Sequence, residues 1–219
     1  SVVSTSTPKQ NVLKIKDIFN LNKMFVSMIT SNINLAKNDN DAANSLKNIT
    51  PCLDLAEQLE TSLVRIMIKH HDDIIFAKKA LDEALERGII LTQQTHWGTL
   101  AETIDETLNL VKIIERKNFG ITYEPANLLA CGSDYSLKGL EKLLPYVVNF
   151  YFQNIRLDKN GSHEFKTLGK GNVKVKYLPL NEKKGIDIDP LINFLYKKKY
   201  DKWFTIHQPL REGQKVDEA

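Results

Sequence analysis

Along this chain the apolar positions change spacing again and again, from short unbroken or alternating runs to recurrences every three or four residues. The first pattern predicts strands and the second helices. Val2 to Ser6, a β-branched and serine run closed by Pro8, reads as a strand. Between Leu13 and Leu59 the residues Ile15, Ile18, Phe19, Met24, Phe25, Met28 and Ile29, and later Leu53, Ala56 and Leu59, predict two helices. Asn38 to Asn44 marks the break between them, and Thr50 with Pro51 opens the second as N-cap and first helical residue. Leu63 to Ile68 is a strand ending in Lys69, His70 and His71, whose roles stay open between bland surface and ligand contact. Asp72 to Arg87 is a helix with Ile75, Ala80, Leu81, Ala84 and Leu85 inward, and Gly88 stops it.

The cycle repeats. Ile89 to Thr92 is a strand continuing through Gln93 to Gly98, and Leu100 to Arg116 is a helix. Gly120 to Glu124 is a short buried strand that Pro125 must end, because proline cannot donate to a ladder. Ser133 or Asp134 then caps a helix carrying Leu137, Leu140, Leu143 and Leu144. Val147 to Ile155 is a strand, followed by a loop around Gly161, Gly169 and Gly171 and a more exposed strand from Val173 to Leu180. Asp189 and Pro190 open a last helix with Leu191, Phe194 and Leu195 inward, and Trp203 to His207 is the final strand. About seven strands, most followed by a helix, imply βαβ units and a parallel sheet, either doubly wound or closed into a barrel.

Composition narrows this only modestly. A 219-residue chain that is 42 % hydrophobic is long enough for one large domain over 1–219 or two small ones, with a sizeable core. No apolar run reaches the roughly 18 residues of a membrane span, and no signal-peptide pattern stands at the start, so the default expectation is the cytoplasm. Cys52 and Cys131 fall in no metal or redox spacing and read as buried small residues. A net charge of +3 is too slight to argue for nucleic acid, and the eleven lysines between Lys159 and Lys202 read as a solvated basic face.

The candidate chemistry sits at strand ends. Gln94 and His96 follow one strand, Glu124 another, Tyr151, Gln153 and Asn154 a third, and His207 the last. Alternation along a strand puts Gln94 with His96, and Tyr151 with Gln153, on one face. Any one of them reads well as a hydrogen-bonded polar residue. As a set they predict a ligand site, because α/β folds gather sites at the carboxyl ends of strands.

Four segments resemble the xylose isomerase-like TIM-barrel superfamily, the group of sugar phosphate isomerases and epimerases. LTQQTHWGTL, Leu91 to Leu100, is similar to a strand ending in Glu-x-His-x-Gly, and TYEPANL, Thr122 to Leu128, to an Asp-Pro-x-Asn turn. FYFQN, Phe150 to Asn154, stands where the family has His-x-Lys-Asp, and YDKWFTIHQP, Tyr200 to Pro209, resembles the closing segment that ends in Glu. LGKG, Leu168 to Gly171, is also in its usual place. The resemblance implies a (β/α)8-type barrel, lacking or altering its first β/α unit, and a divalent metal held by Glu, Asp, His and Glu. Carried over, those positions are Gln94, Glu124, Tyr151 and His207, so only Glu124 keeps a carboxylate. Gln153 is a substitute ligand, and Gln94, Glu124, Gln153 and His207 form the expected set for one Mn, Mg or Zn ion, bound weakly, altered or lost.

In the family two glutamates move a proton beside a sugar carbonyl while the metal stabilises the enediolate. The corresponding expectation is an acid/base pair of Glu124 and His207, with His96 and Trp97 lining the pocket of a sugar or sugar phosphate and Asn154 and Arg156 on its hydroxyls or phosphate. The alternative is a barrel without catalysis that binds carbohydrate or serves as an interaction subunit. An abasic-site nuclease, which the resemblance gives a three-zinc site rich in His and Asp, fits poorly with five histidines in all. A barrel of this kind usually has eight strands and about 250 residues. A start without Met, almost directly in a strand, leads to the expectation that upstream residues precede this chain. A neighbouring copy filling the gap, which would make a homo-oligomer, and a narrower barrel are the other outcomes.

Overall fold

The computed structural model describes residues 3–31 and 45–210. In chain order its helices are α1 (Lys9–Leu21), α2 (Thr50–Gln58), α3 (Asp73–Glu86), α4 (Ile104–Ile114), α5 (Pro125–Cys131), α6 (Leu137–Leu143) and α7 (Asp189–Lys197). The strands are β1 (Ile29–Thr30), β2 (Leu63–Ile66), β3 (Ile90–Gln94), β4 (Phe119–Tyr123), β5 (Val147–Phe152), β6 (Ile155–Leu157), β7 (His163–Thr167), β8 (Gly171–Tyr177) and β9 (Trp203–Ile206). The chain divides into two compact units, Ser1–Gln93 with Val111–Gly120, and Gln94–Leu110 with Ile121–Ala219. None of the described helices is long and apolar enough to cross a membrane.

In the first unit β1, β2 and β3 run parallel in that order, with Ile29 opposite Val64 and Val64 opposite Leu91. Leu63, Val64 and Ile66 are buried, as strands of a parallel sheet covered on both faces must be. Ala77, Ala80, Leu81 and Ala84 form the buried stripe of α3, whereas Ile75, 58 % exposed, and Leu85 point outward, contrary to the periodicity reading. Small residues let the helix approach its sheet closely, and the two larger ones lie beyond the edge of that stripe. Lys69 and His70 are backbone partners here: their N–H groups donate to Asp73 Oδ2 at 3.0 and 2.9 Å.

Two further expectations fail in this unit. Val3 to Ser6 is not a strand: Ser4 to Thr7 forms a turn, closed by Thr7 N–H donating to Ser4 O at 3.0 Å, and Val2 lies outside the described residues. The helical pattern through Ile29 also breaks, because Lys23 takes a positive φ of 55° and Met24 N–H turns back to Phe19 O at 2.8 Å. Beyond Met24 the chain has left the helix, and it enters β1 at Ile29. The break assigned to Asn38 to Asn44 lies outside the described residues.

In the second unit β4, β5 and β9 are parallel, pairing Tyr123 with Phe150 and Phe150 with Phe204, and a register shift falls between Ile121 and Thr122. The three-stranded antiparallel sheet β6-β8-β7 lies in the sequence between β5 and α7, with β7 and β8 forming a hairpin. β7 occupies residues read as glycine-rich loop. Tyr123, Phe150, Leu128, Leu140, Val175 and Leu195 are among the residues of this unit's core, each contributing about 1.5–3 kcal/mol for a fully buried side chain. Helix α4 starts at Ile104 rather than Leu100 because Thr103 and Glu106 cap each other's N–H groups, at 3.0 and 3.2 Å. A further helix, α5, begins directly at Pro125, ahead of the one expected after Ser133.

Candidate active site

Glu124 closes β4 and enters α5. Its backbone stays extended, φ −131° and ψ 105°, because a following proline disfavours the helical region. Thr95 secures the neighbouring strand end: its N–H donates to Thr122 O at 3.0 Å, and its hydroxyl accepts from Glu124 N–H at 2.8 Å. Asn127, one turn into α5, donates to Thr95 O at 3.0 Å and to Glu124 Oε2 at 2.7 Å. Gln94 Nε2 donates to the same carboxylate oxygen. The Glu124 side chain is 0 % exposed, so its polar atoms depend on these partners for what water would otherwise give.

His207 leaves β9 with its N–H on Phe152 O at 2.9 Å and its carbonyl held by Gln153 Nε2 at 2.7 Å. Its Nδ1 lies 3.2 Å from Glu124 Oε1, and its ring tilts against Tyr151 with centroids 4.5 Å apart. With Nδ1 turned to the carboxylate, Nε2 is the nitrogen left for the outside, and the side chain is 45 % exposed. A cavity of about 310 Å³ opens there, lined by Gln153, Tyr177, Ile206, His207, Gln208 and Pro209. A cavity of about 370 Å³ in the first unit, with Val3, Phe19, Val26, Ile29 and Leu55 among its lining, contains no titratable side chain and offers no comparable chemistry.

Of the residues singled out in the sequence, Gln94, Glu124 and His207 therefore meet directly, and Gln153 joins through the His207 carbonyl. His96 and Trp97 lie on the turn after β3, with Trp97 stacked on Phe165 of β7 at 5.4 Å. Asn154 is not a hydroxyl ligand in this arrangement. Its amide donates to Pro179 O and Glu182 O, at 2.8 and 2.7 Å, and its Oδ1 accepts from Ile186 N–H at 2.8 Å, so it holds the loop before α7. A Cβ at Gly185 would collide with that amide. Arg156 is committed to Asp158 at 2.9 Å. The Asn160 N–H and then Arg156 hold the Asp158 carboxyl below its usual range.

Three residues escaped the sequence reading. Asn127 stood inside the quoted turn motif without a role. Tyr177 was placed on an exposed strand. Glu102, 4 % exposed, accepts N–H bonds from Gly98 and Leu168 at 2.6 Å and from Gly169 at 3.1 Å, tying the Trp97 turn to the β7–β8 hairpin. Nothing in its local sequence distinguishes it from a helix-surface glutamate.

The profile of the family described as xylose isomerase-like TIM barrel matches residues 5–219, and this chain belongs to that family. Among solved structures it is similar to a xylose isomerase domain protein from Planctomyces limnophilus, with TM-score 0.73 and 15 % identity over 91 % of this chain and 76 % of that one. It is also similar to a xylose isomerase-like TIM barrel protein from Mycobacterium smegmatis in complex with magnesium, with TM-score 0.70 and 16 % identity over 92 % and 72 % of the two chains. A D-psicose 3-epimerase solved in the presence of D-fructose gives TM-score 0.65 and 12 % identity over 94 % and 71 %. Comparison with curated protein sequences gives no significant match. At such identities the likeness carries the fold alone.

The donor chemistry decides how a divalent ion fits here. Glu124 Oε2 is met by the N–H groups of two amides, Gln94 and Asn127, and its other oxygen faces an imidazole nitrogen. Among the described residues no group of three or more His, Cys, Asp and Glu gathers to hold a metal. One carboxylate surrounded by donors does not fit a site for a hard cation, which needs several oxygens turned toward it.

Proposed function

We propose that this protein moves a proton at the carbon beside the carbonyl of a sugar or sugar derivative, as an isomerase or epimerase does. The observation that carries the reading is the contact of Glu124 with His207 at the wall of a cavity. A buried carboxylate on Nδ1 holds the imidazole in the tautomer whose Nε2 can accept a proton and stabilises the imidazolium that results. His207 is thus the proton carrier facing substrate. Glu124 is its positioning partner, a different division of labour from two groups that both touch the sugar. When His207 takes the C–H proton, the bonding pair becomes the C=C of an enediolate and the carbonyl oxygen takes the charge. Return of the proton to the adjacent carbon, with the hydroxyl proton passing from one oxygen to the other, gives the isomer, and protonation of the original carbon on its opposite face by solvent gives the epimer. The epimerase among the similar structures supports a ketose as the first substrate class to try.

The test is solvent exchange. Incubated in D2O with D-fructose or D-psicose, the wild-type protein is expected to place deuterium on carbons flanking the carbonyl, read by proton NMR. His207→Gln and Glu124→Gln should each lose about 100-fold or more of that rate, the size of a general acid–base contribution. A second reading, a barrel that binds carbohydrate without turning it over, is favoured by the amides capping Glu124. Calorimetric binding of the same sugars with no exchange would select it. Neither binding nor exchange would remove the sugar assignment.

A further inference from the structure

Deprotonation beside a carbonyl needs something to stabilise the oxygen that becomes negative. In this chain the amide nitrogens nearest the pair are already engaged: Gln94 and Asn127 on Glu124, and Gln153 on the His207 carbonyl. Gln208 lines the cavity, but its Nε2 is walled in and its Oε1 accepts from Asn154 N–H at 2.8 Å. The remaining polar side chain on that wall is Tyr177, the last residue of β8.

Its neighbours hold it in place. The backbone is set by the pairing of Tyr177 with Ile155 and by Leu178 N–H donating to Asn154 O at 3.0 Å. The ring meets His163 edge-on at 4.6 Å and Phe165 at 6.5 Å, which fixes it from one side. It lines both the His207 cavity and a second one of about 390 Å³ that includes Ser162, His163 and Pro179. Among the described residues its hydroxyl has no hydrogen-bond partner, unlike that of Tyr123, which donates to Tyr135 O at 3.2 Å. Burial, and after it the negative charge of Glu124, raise the Tyr177 phenol above its ordinary range, which keeps the donor proton on oxygen at neutral pH.

We infer that Tyr177 is a catalytic hydrogen-bond donor, its O–H directed at the substrate oxygen that gains charge as His207 removes the proton. The phenol keeps its proton throughout, and only the hydrogen bond strengthens as the enediolate forms. This inference rests on the proton-transfer reading above.

Tyr177→Phe tests it, because the ring and its contacts with His163 and Phe165 remain. In metal-free buffer two quantities are compared between wild type and variant. One is deuterium exchange into D-fructose. The other is the ratio of calorimetric affinities for D-threonohydroxamate, a planar oxyanion mimic, and D-glucitol, a polyol without a carbonyl. Loss of one oxyanion donor is expected to lower kcat about 100-fold. KM should stay within about twofold, because the bond matters chiefly in the transition state. The affinity ratio should fall by at least about tenfold. That ratio is insensitive to any fraction of misfolded variant, since both ligands report on folded protein. An active wild type with an equally active Tyr177→Phe, or an unchanged ratio, overturns the inference and leaves the proton-transfer reading standing. A wild type that neither exchanges D-fructose nor binds the hydroxamate overturns both.

Discussion

The residue that best separates this site from the metal-binding pattern it resembles is Gln94. A glutamate there would bring a second carboxylate against Glu124, and like charges at such range disfavour each other unless a cation lies between them. Gln94→Glu is therefore expected to lower the thermal midpoint in EDTA and to regain it with Mn, with calorimetry showing metal binding stronger than in wild type. A variant whose stability ignores Mn would show that more than one ligand has been lost. The strand-end set was legible because each member stands at the same point of a repeating pattern, and the family resemblance supplied the grouping of Gln94, Glu124 and His207. Which of them is open to solvent was not. That depends on Glu124 being sealed and His207 half open, a fact of packing between segments 83 positions apart. The same limit hid Asn154, whose partners at Pro179, Glu182 and Ile186 are distant in sequence.

At the scale of elements, the long periodic helices and buried strands were readable, and the errors collect where local chemistry competes with the pattern. Pro125 ends a strand and starts a helix at once, so α5 was hidden behind the residue that announced the strand's end. β7 alternates Phe165 and Thr167 with exposed polar residues beside glycines, and its burial depends on packing against Trp97 that no local rule reports. Glu102 supplies the organising contact for this hairpin. Glu102→Ala would strip the acceptor from Gly98, Leu168 and Gly169, and charged hydrogen bonds contribute about 1.5–3 kcal/mol each when considered singly. Because the three act as a unit, a total loss of about 3 kcal/mol is expected. Hydrogen exchange should show it first at the amides of Leu168 and Gly169, and unchanged protection there would mean that β7 and β8 hold their turn without the carboxylate.

For the whole molecule, β3, α4 and β4 each carry residues of both compact units, so no single cut of the chain separates them. Each unit contains one buried cysteine, Cys52 in the first and Cys131 in the second. Burial pushes the Cys52 thiol up to about 12, and burial, followed by Glu102 and Glu106, pushes Cys131 up to about 12. Both folded values lie above the ordinary 9.0, so the associated stability is full below about pH 9 and is lost as pH rises toward 12. A separation of about three pH units corresponds to on the order of 4 kcal/mol for each thiol. A denaturation series from pH 7 to 11 should therefore show stability falling on the alkaline side. The double variant Cys52→Ala/Cys131→Ala should flatten that slope, whereas a slope that it shares with wild type would assign the alkaline loss to other groups. A thiol reagent at pH 8 should label neither cysteine until the protein unfolds.

The stacking of Trp97 on Phe165 also turns the hairpin into something that can be watched with light. Of the chain's two tryptophans, Trp97 is held between the turn after β3 and β7, while Trp203 stands exposed at the start of β9. Acrylamide should quench the second readily and the first poorly, so the emission that survives quenching reports the hairpin almost alone. Titrating a candidate sugar against that residual signal would reveal displacement of the hairpin within a single cuvette, before any reaction product is known.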